Sequence, residues 1–305
     1  MNTEEQLKTS FFHKVSISDG ARGQLREFLN SQTENFPRGI FEPFVQMIKE
    51  DFRTIVIELD NGDGKYFSFS EIHRLNPLIG EIFGELLVQN DQGHKVISVY
   101  DRDRLGSMFQ GARYHQTREG GSIHTDNVNV PEPWDYLYMS CVSPALAGGE
   151  NILVDGLRVH QELKASYPNA LKELELPFVW EMRGVADELY RAPIITYNEE
   201  GEPLFRHLRP YMESAHQKAG EPLKDEQLYA IDVLDALTNS SEFQVRYRMK
   251  KADILLTKDA QVLHGRTCFS DAIEAVSLED YEKGKGKTLK RTMERLWVRK
   301  GANDD

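Results

Sequence analysis

The stretch GGSIHTDNVNVPEPWDY, Gly120 to Tyr136, holds the pattern on which the reading of this chain turns. His124 and Asp126 stand one residue apart in a segment of strand character. Side chains at i and i+2 of a strand project to one face, so this imidazole and this carboxylate can address one metal ion from adjacent directions. A second imidazole from elsewhere completes a triangular face of an octahedron. That 2-His-1-carboxylate set leaves three positions open and suits non-haem Fe(II) with its co-ligands. His264, in QVLHGRTCF at the end of a strand-like run, is the candidate. His-x-Asp alone is common and mostly carries no function. Most of the nine histidines, among them His13, His73, His94, His160 and His216, read as surface or satisfied core residues, and His115 and His207 lack a partner motif.

The rest of the chain is compatible with such a site. It has 305 residues, 40% hydrophobic and 10% aromatic, enough to bury a sizeable core. No repeat, low-complexity tract or Pro/Gly-rich linker divides it. Residues 1–305 therefore read as one domain, with a mixed helix and strand region over about 1–105 and a β-rich core over about 106–300. The net charge of −12 argues against nucleic acid as partner, because a phosphate backbone needs a positive face. Cys141 and Cys268 make no disulfide framework, and no apolar leader or membrane-length apolar run is present. The expectation is a soluble cytoplasmic protein.

Apolar spacing predicts helices in ARGQLREFLNSQ, in FEPFVQMIKEDF and in SEIHRLNPLIGEIFGELL, the last capped by Ser70. RTIVIEL, HKVISVYD, DYLYMSCVSP and ENILVDG read as strands, and Asp155 caps one helix over GLRVHQELKASYPNALKEL. FVWEMRG, a hairpin turning at Glu199 to Glu202, the run Glu242 to Phe269 and KRTMERLWVRK supply further strands. Many short strands with turn signals predict a mainly β fold with flanking helices, a double-stranded β-helix of the jelly-roll, cupin-like kind. On the last strand Arg291, Met293 and Arg295 share one face.

Four motifs in order, HTD (124–126), GGENILVDG (148–156), LHGRTCF (263–269) and RTMERLWV (291–298), resemble the Fe(II)/2-oxoglutarate-dependent oxygenases of the taurine dioxygenase and clavaminate synthase-like superfamily. The resemblance covers roughly residues 114–299. It implies that His124, Asp126 and His264 ligate Fe(II) and that Arg291 grips the far carboxylate of 2-oxoglutarate. A bidentate guanidinium fits that task better than an ammonium. The family commonly has a threonine for 2-oxoglutarate 25 residues after the metal carboxylate, where this chain has Asn151, whose amide can still donate. The implied reaction uses O2 to decarboxylate 2-oxoglutarate oxidatively while a substrate carbon is hydroxylated, desaturated or cyclised. Halogenation is disfavoured, because related halogenases lack the carboxylate that Asp126 provides.

Arg295 has two readings. In relatives with Arg-x-x-x-Arg the second arginine meets an acidic group of the substrate; otherwise it pairs with an internal Glu or Asp. Asn127, Tyr114, Gln116 and Arg113 flank the iron motif and are candidate pocket residues, although surface loop residues would look the same. His264 and Arg291 are 27 residues apart, a longer gap than is usual in taurine dioxygenase. The extra segment, Ser270 to Lys290, reads as a solvated loop, with a lid over the active site as the sharper alternative. The expected substrate is a small polar molecule with a carboxylate or amino-acid character, free or tethered to a carrier protein. A jelly-roll binding protein without catalysis and a zinc hydrolase with the same three ligands are the competing readings.

Overall fold

A computed structural model describes residues 11–31, 33–60, 66–90, 92–102, 117–126, 128–132, 134–182 and 186–301. Two sheets organise the site. The larger runs in the order Phe12–Ser16, Thr54–Glu58, Asp253–Lys258, Tyr136–Ser143 and Thr292–Arg299, and both Glu85–Leu86 and Ile97–Val99 pair with the last of these. All its pairings are antiparallel except the first, Phe12–Ser16 on Thr54–Glu58. The smaller sheet is antiparallel, with Asn151–Asp155 between Gln244–Tyr247 and Val262–Arg266. The mixed N-terminal region thus contributes four strands to the main sheet, Phe12–Ser16, Thr54–Glu58, Glu85–Leu86 and Ile97–Val99.

Alternation along each strand sorts side chains into layers. On Tyr136–Ser143, Tyr136, Tyr138 and Val142 enter a core with Leu25, Phe41, Ile79 and Phe83. Leu137 and Met139 face the other way, into the space between the sheets, as does Cys141. Val56, Leu153, Leu255, Val262 and Met293 fill that inter-sheet layer. The far side of the smaller sheet presents Ile152, Val154 and Leu263 to a third apolar cluster with Trp180, Phe205, Met212 and Ile231.

Local chemistry accounts for the element ends. The helix Phe69–Phe83 starts at Ser68, not at Ser70. The Ser68 hydroxyl accepts from the Glu71 amide and the Glu71 carboxylate accepts from the Ser68 amide, a reciprocal cap. It ends at Gly84, which has φ +150°, and a Cβ there would lie 2.1 Å from the Arg299 carbonyl oxygen. Asp155 does cap the next predicted helix, but that helix breaks into Gly156–Ser166 and Pro168–Leu174. Proline pushes the residue before it out of helical space, and Tyr167 sits at φ −133°, ψ 51°. Two further helices that the sequence reading missed, Arg209–Ala219 and Asp225–Asn239, pack in the third cluster.

The segment Ser270 to Lys290 is built, and it lies away from the inter-sheet space. Val276 pairs in parallel with Leu289, a short helix spans Leu278–Glu282, and the Tyr281 ring meets Phe69 edge-on at 6.4 Å. Leu289 packs against the cluster on the helix-bearing face of the large sheet. The lid reading does not describe this placement, and neither does a plain solvated loop.

Glu294 is fully buried beneath the helix Phe69–Phe83. It accepts hydrogen bonds from Asn76 and from His73 Nδ1, while Tyr138 donates to Asn76. The bond to Glu294 raises the His73 pKa, outweighing the opposite effect of burial. The folded chain therefore holds the His73 proton to higher pH than the unfolded chain does. This contribution to stability is complete below the unfolded value of about 6.5 and fades as pH rises through the raised folded value. His73→Gln should accordingly lower the urea midpoint at about pH 5.5 by clearly more than at about pH 9. Equal losses at both would contradict the assignment.

Candidate active site

His124 and His264 exchange two backbone hydrogen bonds, 2.8 Å from the His124 amide and 2.7 Å from the His264 amide. This isolated antiparallel bridge sets the imidazoles side by side, with centroids 4.5 Å apart. Strand pairing thus brings together ligands far apart in sequence. Asp126 completes the group. Its Oδ1 lies 3.5 Å from His124 Nε2 and 3.7 Å from His264 Nε2, and the three residues offer ligand atoms all within 4.8 Å of one another. His124 Nδ1 is 2.9 Å from the Ser122 carbonyl, which fixes that nitrogen as the protonated one and leaves Nε2 as the ligand. Burial and the nearby His124 lower the pKa of His264, which favours the neutral imidazole that a metal requires.

The second carboxylate oxygen is held elsewhere. Asp126 Oδ2 accepts from Arg295 Nη1 at 3.0 Å and from Trp297 Nε1 at 3.2 Å. Burial alone would raise the Asp126 pKa, but Arg295 and the two histidines hold it well below the ordinary carboxylate value. One oxygen therefore faces the histidines while the other anchors to the last strand. Of the two readings of Arg295, the structure displays the internal ion pair. Its Nε also donates to Gln89 Oε1 at 2.9 Å, and its guanidinium still borders the cavity.

Arg291 enters the same cavity from the edge of the last strand, where the register shifts between Thr292 and Met293. It is 4% exposed, its guanidinium sits 5.0 Å above the Phe269 ring, and its amide donates to Asp271. Gly149 has φ +72°, and a Cβ there would come within 3.1 Å of Arg291 Nε, so the Gly148-Gly149 turn makes room for the guanidinium. Asn151 also lines the cavity, with its amide 3.4 Å from the Tyr247 carbonyl. Leu137, Met139, Leu153 and Leu255 form an apolar floor. Tyr114, Gln116, Arg113 and Asn127 lie outside the described residues.

Several supporting residues escaped the sequence reading. Asp259, fully buried, accepts from the Asp126 amide at 3.2 Å and places Oδ1 3.7 Å from His264 Nδ1. Its spacing of five before His264 in KDAQVLH was the available signal. His207 and Thr125 exchange hydrogen bonds, and His207 Nε2 meets Asp235 Oδ1 at 2.9 Å, tying the His-Thr-Asp segment to the helix Asp225–Asn239. Trp297 stacks on Trp134 at 3.9 Å, just beyond the metal segment.

The family model for the taurine catabolism dioxygenases, TauD and TfdA family, matches residues 64–293. The chain belongs to this family. Membership favours an Fe(II)- and 2-oxoglutarate-dependent oxygenase over a zinc hydrolase or a silent binding protein. FR-33289 synthase of Streptomyces rubellomurinus is 24% identical over 200 residues, 64% of this chain. The match spans 57% of that relative's own length. Asparagine oxygenase, solved with Fe(II), 2S,3S-3-hydroxyasparagine and succinate, is similar with a TM-score of 0.71 at 13% identity, over 94% of each chain. The non-heme iron oxygenase OrfP, solved with Fe and alpha-ketoglutaric acid, is similar with a TM-score of 0.66 at 15% identity, again over 94% of each chain. At such identities the likeness is one of fold. It supports the jelly-roll assignment, with sheets that do not close into a barrel among the described residues. No described helix is long and apolar enough to cross a membrane.

The donor set of this TauD/TfdA-family site fits Fe(II), with two imidazole nitrogens and one carboxylate oxygen converging. His264→Ala should abolish stoichiometric iron binding, measured by metal analysis after anaerobic loading, while the far-UV circular dichroism is retained. Arg295→Ala leaves the second oxygen of Asp126 with Trp297 alone and should weaken Fe(II) affinity by roughly 10–100-fold, the usual cost of losing a group that orients a metal ligand. Unchanged affinity would show that the Asp126–Arg295 pair does not orient the metal ligand.

Proposed function

We propose that the protein hydroxylates a small, amino-acid-like metabolite, with Fe(II) on His124, Asp126 and His264 and 2-oxoglutarate held by Arg291. The observation that carries this reading is the convergence of the three ligand residues, Arg291 and Arg295 on one cavity between the sheets. When bound, Fe(II) and 2-oxoglutarate supply the oxidation, in which O2 yields succinate, CO2 and an oxygen atom for the substrate. The chain's own residues bind, orient and exclude water. Arg291, stacked on Phe269, presents a two-pronged donor to the distal carboxylate. Asn151, at the start of the strand that underlies His264, offers an amide to the same cosubstrate. Leu137, Met139 and Leu153 keep water from the reacting centre. Arg295 holds Asp126, and its edge on the cavity can meet an anionic substrate group.

An amino-acid substrate is supported by the fold neighbours, one solved with hydroxyasparagine and another with (3S)-hydroxy-L-Arg. A free substrate is preferred to a carrier-bound one, because these two neighbours were solved with small hydroxylated amino acids. The test is a screen of L-amino acids and simple N- and C-substituted derivatives for substrate-dependent succinate release, with mass analysis for one added oxygen. At least one free compound should couple succinate formation to hydroxylated product. If none does while a carrier-tethered aminoacyl substrate does, the free-metabolite reading fails.

Arg291→Lys keeps the charge but loses the two-pronged geometry. It should raise the dissociation constant for 2-oxoglutarate by roughly 10–100-fold, from a charge-assisted bond of about 1.5–3 kcal/mol. Fe(II) affinity should change far less. An unaltered 2-oxoglutarate affinity would move the role to another cation.

A further inference from the structure

A second cavity lies on the face of the large sheet turned away from the metal ligands. It has a volume of about 570 Å³, against about 80 Å³ around the triad, so the donor geometry and not size marks the catalytic centre. Val142 and Ser143 form part of its wall from the sheet, and Tyr281, Lys287 and Leu289 contribute from the segment before Arg291. Arg26 and Lys251 complete its cationic lining.

The charge balance of that lining is unusual for this chain. The protein carries a net charge of −12, yet three cations border the cavity and Glu71 is the one carboxylate among the described lining residues. Glu71 is already engaged, since it pairs with Arg26 and closes the cap of the helix Phe69–Phe83. Among the described residues neither Lys251 nor Lys287 has a carboxylate within ion-pair distance, although Lys251 is near enough to Glu71 to help hold that carboxyl below its ordinary pKa. The neighbouring lysines behave differently: Lys283 pairs with Glu279 and Lys285 with Asp280. Lys287, two residues further on, is left facing the cavity. Arg26 is not free to swing away, because its guanidinium lies 4.9 Å over the Tyr66 ring and 5.2 Å over the Phe67 ring. The start of the Phe69–Phe83 helix also opens here, and helix N-termini add positive potential.

We propose that this cavity is a second binding site, separate from the catalytic centre, for a compact organic anion bearing a phosphate or several carboxylates. Lys251 and Lys287 neutralise the anion from two sides, Arg26 supplies a fixed guanidinium, and Tyr66, Phe69 and Tyr281 provide an apolar wall for the carbon skeleton. Because phosphate and carboxylate share this chemistry, the probes must separate them.

The test is isothermal titration calorimetry on the full chain, loaded anaerobically with Fe(II) and 2-oxoglutarate so that Arg291 is occupied. The probes are inorganic phosphate, pyrophosphate and citrate. At least one should bind saturably at one site per chain, and the preferred probe identifies phosphate or carboxylate as the recognised group. The double variant Lys251→Gln/Lys287→Gln should weaken that binding by roughly tenfold or more, whereas Lys251→Arg/Lys287→Arg should retain it. Lys287→Gln alone changes an exposed side chain, leaves the fold intact and should weaken binding severalfold. Oxygenase turnover should be unchanged in all three. The proposal is overturned if no probe binds saturably, or if the glutamine variants bind as the parent does, which would indicate an adventitious ion only.

Discussion

The carboxylate of Asp126 is the constraint on which the site depends. It lies in a largely buried position, where a lone charge would be strongly disfavoured. The chain meets that cost by dividing the two oxygens. Oδ1 faces two imidazole nitrogens, and Oδ2 receives Arg295 and Trp297 from the last strand. Arg295 is itself fixed by Gln89, whose amide also donates to the Arg295 carbonyl, and Trp297 is stacked on Trp134. The segment that carries the metal ligands is thereby fastened to the last strand of the large sheet, Thr292–Arg299. The His124–His264 bridge fastens it to the smaller sheet. A metal site between two sheets that, among the described residues, do not close into one barrel needs both attachments.

How much of this was legible depended on whether the information was local. The His-x-Asp pattern, the Gly-Gly turn and the Arg-x-x-x-Arg spacing are local, and they located the residues that the structure gathers around one cavity. Arg291 and Arg295 both border one cavity, but Arg291 precedes the strand Thr292–Arg299 and a register shift lies between Thr292 and Met293, so period-2 alternation does not by itself account for the shared placement. Alternation fixes a face and not a partner, so the choice for Arg295 between substrate and internal carboxylate stayed open until the fold placed Asp126 beside it. Gln89 and the Asp235 partner of His207 were not legible for the same reason, since each contact spans a large sequence separation, whereas Asp259 left only its spacing of five before His264. Boundaries went astray where two local signals competed. Ser70 is a plausible cap, but the reciprocal bond to Glu71 favours Ser68. The helix Arg209–Ala219 was missed because few of its residues, Met212, Ala215 and His216, are buried, which leaves a thin apolar stripe.

The two faces of the large sheet carry different kinds of chemistry. Leu137 and Met139 look toward the metal ligands, whereas Tyr138 and Val142 look toward the helices. The long segment before Arg291 joins the second face, although its length and charge read as a solvated loop, with a lid over the first face as the alternative. Its hydrogen bonds explain the choice. Ser143 donates to the Leu289 carbonyl, and Val276 exchanges backbone bonds with Thr288 and Lys290, so the segment is stitched along the sheet before the chain enters the last strand. Arg291 thus follows a braced turn, and its side chain enters the cavity at a defined point beside Gly149.

The central claim is that His124, Asp126 and His264 hold one Fe(II) and that Arg291 retains 2-oxoglutarate on it. Anaerobic titration of the metal-free protein with Fe(II) and then 2-oxoglutarate tests it most directly, followed by visible absorption. The account predicts that a charge-transfer band of the iron-bound 2-oxoacid develops and saturates at one equivalent of iron per chain. The band should be absent from Asp126→Ala at the same iron and 2-oxoglutarate concentrations. A full-strength band in that variant, or no band in the parent protein at saturating iron and 2-oxoglutarate, would contradict the account.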